Sequence, residues 1–565
     1  MKEKLKSWAF DKERGKSEFV VMILYLLGLC TVAFFHEPWF DEAQAWNIAR
    51  SASLKEILFE IPHNEGHPPL WDLILLPFAK LGAPYELSLS IVSITFMTLA
   101  ITILVFKSPF PKIVRCLLPF NYFFFYQFGV ISRPYCVLVL AIFLAAMCYK
   151  QRNEKPLPYI LCLALMCAVH SFGIVLAGGL CIVWLWEIFR SDMKEKKLSS
   201  MFTDKRCWLM LALLVLAILI MIEIFPAENT YTDGRPTTKE LFAFSISFRK
   251  LLWYVLIVLE ATVGQTPESF NTPYDTTSLI CLSIAAAFVF ALLVTILYKN
   301  KKLMTFLVPY LLFSTFCIMV YFSSHHMGLI TALLVFMFWI ITDENGKVEL
   351  PGYLLKVMDG LRNNLKTAAK MFAFVPLIVP IAWSAVTSYR DIKYPYWINQ
   401  AADFIKEYHL DQYKILSPWG QEPKESEELD AFGIDESEIE WTDYPKLQGW
   451  ATALVPYFDE NIFYNYNIDN PDKTFMYYQS STEEEAEEEI AKWREQGEPE
   501  VVLDRCGITN AYPDIDVENY IPVKRFYCYK PYKFDTFVQY LTVYLRRDIF
   551  EEIGTLNEIT AKELF

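Results

Sequence analysis

Two adjacent carboxylates, Asp41 and Glu42, directly follow the first long apolar run of the chain, in His36-Glu37-Pro38-Trp39-Phe40-Asp41-Glu42-Ala43. The same polar stretch continues to Glu65-Gly66-His67-Pro68-Pro69-Leu70. Ser132-Arg133-Pro134-Tyr135, His170-Ser171-Phe172-Gly173 and Ser323-Ser324-His325-His326 interrupt later apolar runs. A carboxylate can take a proton from a hydroxyl, an arginine with imidazoles can hold an anion, and carboxylates with histidines can hold a divalent metal. Asp41 is the candidate base. Glu42, one residue on, points elsewhere in a helix or an extended chain, so it would orient Asp41 or bind an acceptor. Arg133 precedes a proline suited to a first helical turn, where its guanidinium and free backbone N–H groups could bind phosphate together. His67, His170, His325 and His326 are the further candidates for substrate contact. The only histidines at i, i+4 spacing are His63 and His67, in a stretch where Gly66 and Pro68 disfavour a helix. That spacing gives a metal weak support, and no cofactor is expected.

The elements that must position these residues lie in a membrane. Of 565 residues, 54% are hydrophobic, 16% aromatic and only 21% charged, too apolar for a soluble chain of ordinary domains. The net charge of −14 divides into about +6 before Tyr389 and about −20 after it, so two regions meet different surroundings. The basic charge is scattered in short clusters, which excludes nucleic acid as a partner. Ten of the 12 cysteines fall in apolar runs without ligand spacing. Cys506 and Cys528 are either one disulfide or two free thiols.

Apolar runs at Phe19 to Phe35, Tyr85 to Phe106, Ile113 to Ile131, Pro134 to Cys148, Leu157 to Val169, Ile174 to Phe189, Cys207 to Phe225, Leu279 to Tyr298, Leu303 to Phe322, Met327 to Ile341 and Met371 to Val386 predict about 11 transmembrane helices. The first is a signal anchor, since no small-residue cleavage site precedes Phe40. Alternate loops hold about 26 Lys/Arg against about 8, which puts the N-terminus in the cytoplasm and residues 389–565 outside. The expected domains are 1–388, a transmembrane unit with a first outer loop at 36–84, and 389–565, an extracytoplasmic α/β or α+β globule. Two outer loops are long, His36 to Pro84 and Pro226 to Ser278; Leu70 to Leu81 reads as an interfacial helix within the first. In the globule, Ala401 to Tyr408 and the acidic Ser480 to Gln496 read as helices. Tyr413 to Leu416 and Val501 to Leu503 read as short buried strands. With this orientation the candidate residues share one membrane face, the outer one. Charges beside apolar surface are costly without partners or a function, so their joint appearance favours a site. It suits an anionic lipid substrate whose phosphate departs as a hydroxyl attacks.

Trp39-Phe40-Asp41-Glu42-Ala43 and Gly66-His67-Pro68-Pro69-Leu70-Trp71 resemble the Asp-Glu and His-Pro-Pro-Leu signatures of GT-C glycosyltransferases, nearest the protein mannosyltransferase and aminoarabinose transferase branch. Ser132-Arg133-Pro134-Tyr135, the His170 turn and His325-His326-Met327-Gly328 are also similar to patterns of bacterial members. The resemblance spans roughly the first 340 residues. It implies a polytopic helical fold with an outer catalytic cavity, and a polyprenyl-phosphate-linked monosaccharide, of the undecaprenyl-phosphate type, as donor. It further implies inverting transfer in the cell envelope with Asp41 as general base, and lipid-phosphate contacts at His67, Arg133, His325 and His326. Neither a Trp-Trp-Asp signature nor a β-trefoil repeat is present, so a protein acceptor has no motif behind it, and glycan, lipid and protein acceptors stay open. The rival from another class is a flippase or transporter of a lipid-linked sugar. It predicts polar residues throughout the membrane depth and, in many transporters, internal repeats; here the polar residues concentrate outside and no repeat relates the two halves.

Overall fold

The computed structural model describes residues 7–194, 203–225, 248–264, 276–320, 324–362, 364–365, 374–394, 396–417, 419–420, 446–447, 450–476, 483–504, 515–528 and 539–559. Helices dominate. α1 (Lys16–Phe35) leads into α2 (Phe40–Ser51), α3 (Leu70–Lys80) and α4 (Tyr85–Lys107). Then come α5 (Tyr135–Tyr149), α6 (Pro156–Val169), α7 (Ser171–Lys194), α8 (Lys205–Glu223), α9 (Phe248–Val263), α10 (Thr276–Lys299), α11 (Leu303–Met319), α12 (Met327–Asn345) and α13 (Val375–Lys393). Among the described residues, six helices are long and apolar enough to cross a membrane: α1, α4, α7, α8, α10 and α12. Parts of α5, α6, α9 and α11 are apolar but shorter. Outward-facing leucines and isoleucines of α8, such as Leu214, Leu219 and Ile222, are exposed in the isolated chain, as lipid-facing residues are.

The run Ile113 to Ile131 departs from the expected single helix. It holds a short helix Lys112–Leu117, a 3-10 turn Leu118–Phe120 and a π-helical turn Phe123–Gln127. Pro119 removes an amide donor, and the Asn121 side chain accepts from the Phe123 N–H at 3.0 Å, a local bond that competes with a continuous helix. Neighbours take up freed carbonyls: Tyr25 O–H donates to Phe124 at 2.8 Å, and Ser93 O–H to Gly129 at 3.1 Å. The run still traverses the bundle, because Arg115 pairs with Glu18 at the start of α1 and the Ser132 N–H reaches Glu42 just beyond its end.

A second correction concerns the expected outer loop Pro226 to Ser278. It contains α9, packed on α10, α11, α12 and α13 with Trp253, Leu256, Ile257 and Val258 buried. Its apolar stretch is bounded by Arg249-Lys250 and Glu260, too short for a hydropathy window tuned to ~20 residues. The interfacial stretch is helical as expected in α3, with Pro77 inside it, and lies against α2.

After α13 come α14 (Trp397–Glu407), α15 (Trp450–Leu454) and the acidic α16 (Glu483–Arg494). They accompany a four-stranded sheet of β1 (Ile415–Leu416), β2 (Val501–Asp504), β3 (Tyr520–Cys528) and β4 (Gln539–Arg546), in the order β1-β2-β4-β3. β1 runs parallel to β2, and β4 is antiparallel to both β2 and β3. Val501, Val502, Leu503, Leu541, Val543 and Leu545 bury the sheet's centre. Cys506 lies outside the described residues, and with it the question of its pairing.

Candidate active site

Asp41 and Glu42 occupy the first turn of α2, where unpaired backbone N–H groups favour carboxylates. Their side chains diverge. Glu42 turns back to the helix start and is fully buried. One of its oxygens accepts from the Trp39 N–H at 3.2 Å and meets His36 Nε2 at 3.1 Å, while the other accepts from the Ser132 N–H at 2.6 Å. The opposite ring nitrogen of His36 meets Asp391 of α13 at 2.9 Å, and Tyr126 O–H donates to the same Asp391 oxygen at 3.0 Å. Burial alone would lower the His36 pKa, but Asp391 and Glu42 hold it well above the usual histidine range. The ring is an imidazolium between two carboxylates at neutral pH. This knot fixes the turn that carries Arg133.

Asp41 keeps a quarter of its side chain exposed. Arg133 Nη1 donates to the Asp41 backbone carbonyl at 2.9 Å, and Nη2 lies 3.4 Å from Oδ2 of its carboxylate. Pro134 caps α5, and Tyr135 begins it, as the Arg-Pro pair requires.

Tyr135 is the hub of the histidines. Its hydroxyl meets His325 Nε2 at 3.1 Å and His326 Nε2 at 3.0 Å. A neutral phenol donates one hydrogen bond, so one imidazole accepts it and the other donates its own N–H. The His170 ring centre lies 5.0 Å from that of Tyr135 and 4.5 Å from that of His67. Gly328, one residue into α12, admits this packing: a Cβ there would stand 2.5 Å from Phe123 and from Phe128.

His170 is fully buried, and its Nδ1 accepts from the Phe172 N–H at 3.2 Å. Burial first, then His67 and Arg133, push its pKa well below the usual range, so the ring is neutral. With Nδ1 an acceptor, the single proton is on Nε2, which has no hydrogen-bond partner among the described residues. His326 is likewise kept neutral by burial, by His325, His170 and His67, and by Arg133. Arg133 is the permanent cation beside these two neutral rings.

All seven candidate residues gather at one end of the bundle: Asp41, Glu42 and Arg133 in one group, His67, His170, His325 and His326 in the other, joined through Arg133-Pro134-Tyr135. His63 is elsewhere. It lies in the middle of a short helix Ile61–Glu65, formed despite Gly66, which closes it with φ of +67°, and its Nδ1 meets the Phe225 carbonyl at 2.6 Å. Sequence reasoning missed three participants. Tyr135 stood inside a quoted motif without a role, Asp391 is an acid at the end of an otherwise apolar helix, and Asp72 faces Glu65 and Arg133. Burial, then Glu65, push the Asp72 carboxyl well above the usual range. No group of three or more His, Cys, Asp or Glu side chains among the described residues is arranged to hold a metal ion.

No protein-family model matches the chain, and neither a curated protein nor a solved structure matches it.

Proposed function

We propose that this protein is a membrane glycosyltransferase that moves one sugar from a polyprenyl-phosphate carrier to an extracytoplasmic acceptor, with inversion and with Asp41 as general base. The observation that carries this reading is the partly exposed Asp41 carboxylate beside Arg133, two residues from the hub of a histidine cluster holding an unused donor. Donor phosphate would take the Arg133 guanidinium, with N–H donation from His170 and its neighbours, and so free Asp41 from its ion pair. An acceptor oxygen then attacks the anomeric carbon while Asp41 takes the hydroxyl proton. The carbon–oxygen bond to phosphate breaks, and its electron pair leaves on polyprenyl phosphate beside Arg133. Glu42, His36 and Asp391 hold Arg133 in register and touch no reacting atom. The sequence-derived topology supports this reading: about 11 membrane passes, a cytoplasmic N-terminus and an extracytoplasmic sheet-bearing region put the site in the outer leaflet of the cell membrane.

The test is transfer from a panel of radiolabelled polyprenyl-phosphate sugars by purified protein in lipid. Release of polyprenyl phosphate with one sugar is expected, and it names the donor. Lipid bound or moved across the bilayer but never cleaved, across the panel, would overturn the reading in favour of a flippase.

A further inference from the structure

Gln44, Asn47 and Ser51 follow Asp41 at helical spacing along one stripe of α2. Polar groups buried on a helix need partners, and these find them more than 400 residues away, in the chain between Thr452 and Met476. Gln44 binds the Met476 peptide reciprocally: its Nε2 donates to the Met476 carbonyl at 2.9 Å, and its Oε1 accepts from the Met476 N–H at 2.9 Å. The Asn47 amide donates to the Thr452 carbonyl at 2.9 Å, and Ser51 Oγ accepts from the Thr474 N–H at 3.1 Å. One turn beyond the base, then, the catalytic helix is gripped by main chain of the sheet-bearing region.

Gln44 has one N–H left, and it donates to Glu65 Oε1 at 2.8 Å. Glu65 is followed by Gly66 and His67. A single buried amide, with both donors and its acceptor engaged, therefore ties together the helix of Asp41, the segment of His67 and the peptide at Met476.

We propose that Gln44 is a positioning residue through which the C-terminal region sets the placement of Asp41 relative to His67. The role of Asp41 rests on the function proposed above; the mechanical coupling does not. The test compares wild-type full-length protein in lipid nanodiscs with Gln44→Glu, which keeps the size but loses both N–H donations and faces Glu65 with like charge. Measured are amide hydrogen exchange along α2 and, with the donor that the sugar panel identifies, kcat and KM. The expected result is exchange faster by tenfold or more between Asp41 and Ile48, with α5 unchanged. kcat should fall at least tenfold while donor KM moves less than threefold. Adding Glu65→Gln restores a donor opposite the new carboxylate and should recover part of both losses, a rescue that generic destabilisation does not give. If Gln44→Glu fails to fold, Thr474→Val, which removes only the hydroxyl contacts to Asn47 and Ser51, should still raise α2 exchange. Unchanged α2 exchange in a folded variant, or a loss confined to KM, would overturn the proposal. If wild type transfers no sugar, the functional reading fails by itself and exchange alone decides the coupling.

Discussion

The two ends of the bundle handle buried charge in opposite ways. At the end where α1 begins, buried cations sit against carboxylates: Arg115 on Glu18 at 3.0 Å, Lys112 on Asp11 at 2.9 Å, Arg152 on Glu187 at 2.6 Å and Lys302 on Glu344 at 2.9 Å. Arg152 and Lys302 also lie over the ring of Tyr149, 3.6 and 4.9 Å from its centre. At the other end the knot around His36 is comparably closed. Beyond it stand a partly exposed Asp41, a guanidinium holding it at 3.4 Å, and a buried His170 Nε2 without a hydrogen-bond partner among the described residues. Buried donors without a hydrogen-bond partner among the described residues occur at both ends, Arg115 Nε and Arg152 Nε at the first and His170 Nε2 at the second; what differs is that the four cations at the first end each meet a carboxylate at 3.0 Å or less, whereas Arg133 meets a partly exposed one at 3.4 Å. The looser pairing at the second end is what supports the proposal that the chemistry takes place there.

The largest effect is expected at the closed end. Arg115→Met leaves Glu18 buried without its cation and should cost about 3–5 kcal/mol, read as a collapse of thermal stability in detergent, while Arg115→Met with Glu18→Leu recovers most of it. Asp391→Asn removes one carboxylate from His36 and should cost about 1.5–3 kcal/mol. Because the His36 pKa is raised in the folded state, its contribution is complete below its ordinary value of 6.5 and is lost as pH rises through the raised one. Asp391→Asn should therefore flatten the alkaline limb of a stability profile. His170 and His326 have depressed values, so they act oppositely, losing stability as pH falls below 6.5. His170→Gln should flatten the acid limb. A further pH effect is expected at Glu37, whose carboxyl, raised by burial to about 8, accepts from the Asn399 N–H at 3.4 Å. Its protonated form suits the fold, so stability declines between pH 4.5 and about 8, and Glu37→Gln should remove that decline. An unchanged profile in that variant would show that Glu37 is ionised at no cost.

Hydropathy was enough to find the helical bundle, because lipid demands long apolar runs whatever their partners. It misjudged Ile113 to Ile131, where local bonds from Asn121 and the loss of a donor at Pro119 split a run that still crosses the bundle. It also passed over α9, whose short apolar stretch is buried among other helices. β3 and β4 escaped notice because Pro522 and Lys524 disturb the alternation of β3, and the structure places an irregularity between them. The candidate site was legible as a set of residue types at one end, since polar side chains beside apolar runs are rare. Its internal logic was not: His36 meets Asp391 across 355 positions, and the tautomer of His170 depends on a backbone N–H two residues on.

If Asp41 does the chemistry while Arg133 and the histidines hold the donor, binding and cleavage come apart in Asp41→Asn. Measured side by side with wild type, that variant should keep its melting temperature and a donor Kd within about threefold while polyprenyl phosphate release falls at least ~100-fold. Release near the wild-type rate by a folded, donor-binding Asp41→Asn protein would contradict that role.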